Sequence, residues 1–353
     1  MRPYTRAGTP RPPVEAAAPP VTQEHVPVLR AEVVDLLTTA TGGKRFIDGT
    51  VGAGGHAAAL LDATPDAQLL GLDADPQALA VAEQRLAIYG QRVRLAHANF
   101  SDLKIIARAH GWERVDGILL DLGLSSRQLG DDARGFSFSS SGPLDLRFDP
   151  TGDRPTATEL VRQWNTDELA RVIWEFGEER WSRRIARAIT AARPPTGAWR
   201  ARDFARVAGS AVPRPGGKRR HHPATRTFQA LRIAVNGELD ALKTVLPQAI
   251  QLLDTGGRLA VISYHSLEDR LVKQAFRGAT GACQCPPEVP VCSCGASAEV
   301  RLVTRRVVRP TAAEVQENAR SRSARLRVVE RLPLTAETEG HVKPPMHQEL
   351  AHS

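Results

Sequence analysis

Two spacings of apolar residues alternate along the first third of the chain. Short continuous runs at Arg45–Asp48, Gln68–Leu72, Arg92–His97 and Gly117–Leu122 are separated by stretches with helical spacing, such as Pro76–Ile88. A run like GILLDL from Gly117 suits a strand covered on both faces, the usual situation in a parallel sheet. Pro76 fits the first turn of its helix, where no backbone N–H is required. The first run enters a glycine-rich turn, and a helix begins at His56. Strand–helix alternation at this spacing predicts a doubly wound α/β sheet.

The alternation stops after Gln128. Gly130–Pro155 is rich in Gly, Ser, Asp and Pro and reads as a loop. Beyond it Leu169, Val172, Ile173 and Phe176 recur at i, i+3, i+4 and i+7, with Thr166 as the expected N-cap. Gly177 is expected to end that helix, and Trp181, Ile185, Ala188 and Ile189 open a second stripe. Strand character returns at Gly257–Ser263 after a helix at about Leu239–Leu253, and the alternation in Arg325-Leu326-Arg327-Val328 suits a final strand. The expected organisation is a discontinuous α/β domain, 25–134 with 226–331, carrying a helical insert at 135–225 between the fourth and fifth strands. Residues 1–24 and 332–353 lack apolar periodicity and read as flexible tails.

With 353 residues the chain exceeds one typical domain, which agrees with an insert. Its 42% apolar and 24% charged residues are ordinary for a globular protein with a sizeable core. No apolar run approaches the roughly 18 to 20 residues that span a bilayer, and the proline-rich start has no apolar region of a secretory signal. All four cysteines fall between Cys283 and Cys294, so no distributed disulfide framework exists and a reduced, cytoplasmic setting is expected. The net charge of +8 points to a polyanionic partner, nucleic acid first. Only six of the 47 basic residues are lysines, however, which looks like coding bias, so charge alone tips the balance only slightly.

The segment from Asp48 to His56, DGTVGAGGH, carries the most chemistry per residue. Its glycines allow a sharp turn after a strand and close approach of the backbone to a ligand. Asp73 ends the second strand about twenty residues on, where an acid can hold both ribose hydroxyls. Taken alone, Gly52–Ala57 also fits GxGxxA, so a nicotinamide dehydrogenase is a rival, and so is a glycine turn without a ligand. Two features favour S-adenosylmethionine instead. Asp48 can meet the ammonium of a methionine moiety, whereas an acid beside a pyrophosphate would be repelled. A helix, a Gly256-Gly257 turn and a fifth strand follow as in methyltransferases.

Longer segments carry a family resemblance. They are HVPVLRAEVVDLL from His25, FIDGTVGAGGHAAALL from Phe46, GILLDLGLSSRQLGDDARGFSFSSSGPLDLRFDP from Gly117, ATELV from Ala157, HPATRTFQALRIAVNGEL from His222, GGRLAVISYHSLEDRLVKQAF from Gly256 and RSRSARLRVVE from Arg320. In this order, over about residues 25–330, the chain resembles the cytosine N4-methyltransferases of bacterial small-subunit ribosomal RNA (ribosomal small-subunit methyltransferase H, MraW-like). The resemblance implies a Rossmann-like class I methyltransferase sheet, with the insert as RNA-substrate domain. It implies S-adenosylmethionine as cofactor and methylation of one cytosine amine in the decoding region of 16S rRNA, in the small ribosomal subunit. Donor contacts then fall on Gly54, Gly55, His56, Asp73, Phe100, Asp121 and Gln128, beside Asp48. Phe100 can cover the adenine, although a core aromatic is the plainer reading.

The cytosine amine is a poor nucleophile, so positioning and acceptors for its N–H groups should supply much of the rate. Candidate catalytic residues are Asp121, Ser125, Ser126 and His265. Related amino-methyltransferases have prolines and an aromatic after the acidic or polar residue, and Asp121–Ser126 lacks them; a turn-capping role for either serine stands equally. Tyr264 or His265 is expected to wall a pocket for an unpaired base; a structural role for His265 has even standing. Asp145 and Arg147 either order a loop over the site or pair internally. Candidate RNA contacts are Lys218, Arg219 and Arg220 in one cluster, with Arg320, Arg322, Arg325, Arg327 and Arg331 in a second. Cys283, Cys285, Cys292 and Cys294 form CxC-x6-CxC, enough thiolates for tetrahedral zinc but not at the usual CxxC spacing; free thiols are the default. The contrasting class is a non-catalytic nucleic-acid-binding regulator, against which Asp48, Gly54, Asp73 and Asp121 speak, because a scaffold needs no donor pocket.

Overall fold

The computed structural model describes residues 27–39, 44–194, 197–213, 222–281 and 297–333. The N-terminal tail, the C-terminal tail beyond residue 333, the Lys218–Arg220 cluster and the four cysteines lie outside these residues. From the N-terminal side the order is α1 (Arg30–Thr38), β1 (Arg45–Asp48), α2 (Gly55–Ala63), β2 (Gln68–Asp73), α3 (Pro76–Leu86), β3 (Val93–His97), α4 (Leu103–Ala109) and β4 (Val115–Asp121). Each of the four strands falls within two residues of the apolar run that predicted it. The reason is visible in the packing. Phe46, Leu69 and Leu119 join one core layer, while their neighbours Ile47, Leu70, Ile118 and Leu120 join the layer on the opposite face. Both faces being covered, no polar alternation survives in the sequence.

Beyond the insert come α11 (Glu238–Leu252), β5 (Leu253–Ser263), α12 (Ser266–Ala279), β6 (Val300–Leu302), α13 (Ala312–Glu317) and β7 (Arg325–Arg331). The seven-stranded sheet has the order β3-β2-β1-β4-β5-β7-β6. Strands β1 to β5 are parallel, and β7 runs antiparallel between β5 and β6. The chain starts in the middle of the sheet, moves outward through β2 and β3, then returns to build the other half from β4. The crevice beyond the C-terminal ends of β1 and β4 is thus a switch point, where open α/β sheets bind ligands. Strand β5 begins earlier than expected, at Leu253, with a register shift opposite Val115 and Gly117 around Gly256, which takes a φ of 82°.

Between β4 and β5 lie α5 (Ser126–Gly130), α6 (Ala157–Gln163), α7 (Thr166–Gly177), α8 (Ser182–Ala191), α9 (Ala201–Ser210) and α10 (Thr225–Asn236). They share a separate core that includes Leu169, Ile173, Ile185, Ile189 and Phe204. Phe228, Leu231 and Val235 of α10 belong to it as well, so this packing unit runs past residue 225 to Asn236. Gly237, at φ 63°, then turns the chain into α11.

One local expectation needs correction, and a second holds for a different reason. The N-cap of α7 is Asn165, not Thr166: its side chain accepts from Asp167 N and Glu168 N at 3.0 and 2.9 Å, and Glu168 Oε2 accepts from Asn165 N at 2.8 Å. Asparagine satisfies two orphan amides from a position where threonine would reach one. Gly177 does end α7, but the left-handed residue is Glu178, with φ 48°. Glycine is needed at 177 for closeness: a Cβ there would lie 2.6 Å from the carbonyl oxygen of Arg226. Gly177→Ala should therefore destabilise the protein by about 1–3 kcal/mol through overpacking of α7 on α10. Denaturant unfolding checks this, and a variant as stable as the parent would refute the close-packing role.

Candidate active site

The sheet delivers three aspartates to one edge, because β1, β2 and β4 each end in one: Asp48, Asp73 and Asp121. Between them runs the glycine loop. Gly52 and Gly54 adopt φ of 52° and 77°, and a Cβ on Gly55 would lie 2.6 Å from Pro27 Cγ. Gly54 opens α2 without any side-chain cap, so the first-turn amides face the crevice uncovered by a cap of their own.

Asp73 accepts from Gly52 N and Asp75 N, both at 2.8 Å, which pins its carboxylate against the loop. Burial still raises its pKa to about 6. Asp48 accepts from Thr50 N at 3.1 Å, and burial pushes it to about 7 although His56 pulls the other way. Below about pH 7 Asp48 therefore favours its protonated form. Its contribution to stability is fully present below the ordinary value of 3.8 and is lost as pH rises through about 7. Unfolding free energy should decline across that window, with Asp73 adding to the slope up to about 6. Asp48→Asn should flatten it, as denaturant titrations at a series of pH values would read; an unchanged slope would mean that Asp48 does not carry the proton.

His56 is buried, and neither ring nitrogen has a hydrogen-bond partner; Nε2 stands 3.5 Å from Asp121 Oδ2. Buried polar atoms are nearly always satisfied, so this pair of nitrogens points to a ligand in the crevice. Asp121 is fixed from two sides. Its N–H donates to Thr50 Oγ1 at 2.7 Å, and Oδ1 accepts from the Tyr264 hydroxyl at 2.8 Å. Burial and then Asp121 push the Tyr264 phenol well above its ordinary value, keeping it a neutral donor. Gly123, at φ 115°, leaves room for the ring; a Cβ there would approach it to 3.1 Å.

The remaining candidates divide. His265 has the structural role weighed for it: it caps α12, its Nδ1 accepting from Glu268 N at 3.4 Å, with Nε2 3.0 Å from Glu268 Oε1. Burial works to raise the Glu268 carboxyl, yet His265 and Arg232 hold it below the usual range, and it accepts from Tyr264 N at 2.8 Å. Glu238, His265 and Glu268 have the donor atoms of a small metal site, but Arg232 already forks Glu238 at 2.7 and 2.8 Å and supplies the cation. Ser125 is the N-cap of α5, accepting from Gln128 N at 3.1 Å, whereas Ser126 Oγ is buried without a hydrogen-bond partner. Phe100 is half-buried at the start of a short 3-10 turn, its Cβ beside Gly49, and packs on the core as well. Asp145 and Arg147 form an internal bidentate pair at 2.8 and 2.9 Å.

Gln128 leads to residues the sequence did not reveal. Its Nε2 donates to Asp75 Oδ2 at 2.9 Å, and Arg134 Nη1 donates to the same oxygen at 3.0 Å. Arg134 Nη2 then donates to the carbonyls of Arg147 and Phe148 at 2.8 and 2.7 Å. The Asp75-Pro76 pair carries a readable N-cap signal; Arg134, inside a polar loop, carries none. Of the second basic group, Arg320 and Arg322 are exposed. Arg325 and Arg327 instead share Asp269 at 3.6 and 2.7 Å, and Arg331 pairs with Glu299 at 2.7 Å, so all three have carboxylate partners within the fold.

A family model described as the MraW methylase family matches residues 22–332. The ribosomal RNA small subunit methyltransferase H of Thermomicrobium roseum is 52% identical over 318 residues, covering 89% of this chain and 95% of that protein. Its namesake from Syntrophobacter fumaroxidans is 48% identical, with 87% and 96% covered. Among solved structures, an rRNA methylase from Streptococcus thermophilus aligns over 86% of this chain and 94% of its own, at 11% identity and a TM-score of 0.38.

Proposed function

The chain belongs to the MraW methylase family, and from that premise we propose that it methylates N4 of one cytosine in the decoding region of 16S rRNA, using S-adenosylmethionine. The observation that carries this reading is the delivery of Asp48, Asp73 and Asp121 to one edge of the sheet, with buried His56 beside Asp121 and neither of its ring nitrogens hydrogen-bonded. That donor set suits the methyl donor. Asp48 would meet its ammonium, Asp73 its ribose hydroxyls, and Gly54 and Gly55 allow close backbone approach, with Phe100 near the adenine and Gln128 bracing the rim. When bound, S-adenosylmethionine supplies a methyl group activated by its positively charged sulfur.

The protein's own contribution is orientation. Asp121, held by Thr50 and Tyr264, presents Oδ2 as acceptor for an N–H of the cytosine amine, drawing its lone pair out of ring conjugation. Once alkylated, the nitrogen is strongly acidic, and Asp121 Oδ2 can hold the released proton on its way to solvent. Ser126 Oγ, without a partner in the same turn, is a second polar group available there. The substrate is the small ribosomal subunit in the cytoplasm; among the described residues no helix is long and apolar enough to cross a membrane.

The test uses small subunits from cells lacking the protein, purified protein and labelled S-adenosylmethionine, followed by mass spectrometry of the digested RNA. One equivalent of N4-methylcytidine at a single position is the expected result. No transfer would refute the proposed reaction and favour a nucleic-acid-binding regulator; label on another base would keep donor and fold but not the substrate atom.

A further inference from the structure

The helical insert carries a one-sided arginine face. On α8, Ile185, Ala186 and Ile189 are buried in the insert core, while Arg183, Arg184 and Arg187 are exposed, with exposed Arg180 just before the helix. Among the described residues none of these four has a carboxylate in ion-pair contact, although Arg226 and Arg270 nearby are paired with glutamates. Arg180 lies over the Trp181 ring at 5.0 Å. The first turn of α8 contains no acid. Arg183 and Arg187 stand at i and i+4, a like-charge spacing that weakens a helix, and two arginines in the first turn oppose the helix dipole. Nothing among the described residues compensates this arrangement. An external polyanion would.

The face is also well placed. Glu178, four residues before α8, accepts from Ser266 Oγ and from Arg270 Nη2, the latter at 2.9 Å. Ser266 is two residues from Tyr264, whose hydroxyl rests on Asp121. Glu178 thus ties the chain leading into α8 to the first turns of α12, close in sequence to Tyr264. One helical turn before Glu178, Trp174 on α7 is a large aromatic left 57% exposed.

We propose that the α8 arginine face and Trp174 form the surface that grips single-stranded RNA flanking the target base, the arginines on phosphates and the indole stacked on a base. This rests on the reading of the protein as an RNA methyltransferase and locates its substrate contacts on residues outside both basic clusters picked out in the sequence. Arginine forks match phosphate oxygens, and an exposed aromatic beside a cationic track is the usual platform for unpaired bases.

The test measures binding of a labelled single-stranded RNA oligonucleotide to the full chain by fluorescence anisotropy over a salt series. The triple variant Arg183→Gln, Arg184→Gln, Arg187→Gln should flatten the slope of log affinity against log salt by about 2 and weaken binding at least about tenfold near 0.1 M salt. Trp174→Ala should weaken binding about fivefold or more without changing the slope, and Trp174→Phe should restore part of it. Lys243→Gln, exposed on α11, serves as the control and should change neither. Binding of S-adenosylmethionine by each variant reports an intact fold. A triple variant with unchanged slope and affinity, or a parent chain that fails to bind RNA, would overturn the surface. Methylation of subunits by the parent chain is scored separately: methylation with an unaltered triple variant sinks only the surface, whereas a lost slope without methylation supports the surface and sinks the proposed reaction.

Discussion

Asp121→Asn should lower the single-turnover rate of methyl transfer by about 10²- to 10⁴-fold while leaving S-adenosylmethionine bound and the fold intact. Asparagine keeps the shape of the side chain, and its carbonyl oxygen can still accept from the Tyr264 hydroxyl, now 2.8 Å from Oδ1. The other position changes from acceptor to donor, facing both His56 Nε2, now 3.5 Å away, and the amine it is meant to polarise. Backbone anchoring through Thr50 Oγ1 does not involve the side chain and should persist. Rapid-quench measurements at saturating donor and subunit would read the chemical step directly. A rate within threefold of the parent would remove Asp121 from the catalytic role and leave it a donor contact.

The second large effect is on stability. Arg134→Met should cost about 3–5 kcal/mol of unfolding free energy, because it leaves the carboxylate of Asp75 buried beside a neutral side chain. Arg134 and Asp75 are 3% and 2% exposed, so water cannot replace the lost guanidinium. Two backbone carbonyls, of Arg147 and Phe148, lose their donor at the same time. Adding Asp75→Asn should recover part of the loss, since no buried charge then remains unpaired. Donor affinity should fall too: Asp75 N holds Asp73, and Asp75 is the N-cap of α3. A single variant within 1 kcal/mol of the parent would show that the pair does not tie the 145–149 loop to the donor crevice, by the same unfolding measurement.

Much of this was legible along the chain, for reasons of geometry. Strands β1 to β4 are buried on both faces, which forces continuous apolar runs, and a parallel sheet forces each carboxyl end to the same edge. Asp48, Asp73 and Asp121 could therefore be placed together from their positions at strand ends. The polar loop from Gly130 to Pro155 was opaque. It has no period, and its role depends on Arg134 crossing to Asp75, 59 residues away. The arginine face of α8 was equally hidden. Its helical stripe was readable, but its arginines could not be told from the general excess of arginine until the fold showed Arg325, Arg327 and Arg331 with carboxylate partners and Arg183, Arg184 and Arg187 in no ion pair among the described residues.

The sequence by itself determined the doubly wound sheet, the run of helices between its fourth and fifth strands and the shared edge of three strand-end aspartates, because period and strand-end position are properties of neighbouring residues. Only the tertiary structure decided that His265 caps a helix while Tyr264 holds Asp121, that α10 packs with the insert, and which cations stay unpaired. Those outcomes depend on which distant groups meet and how much water they exclude, and no local pattern encodes either.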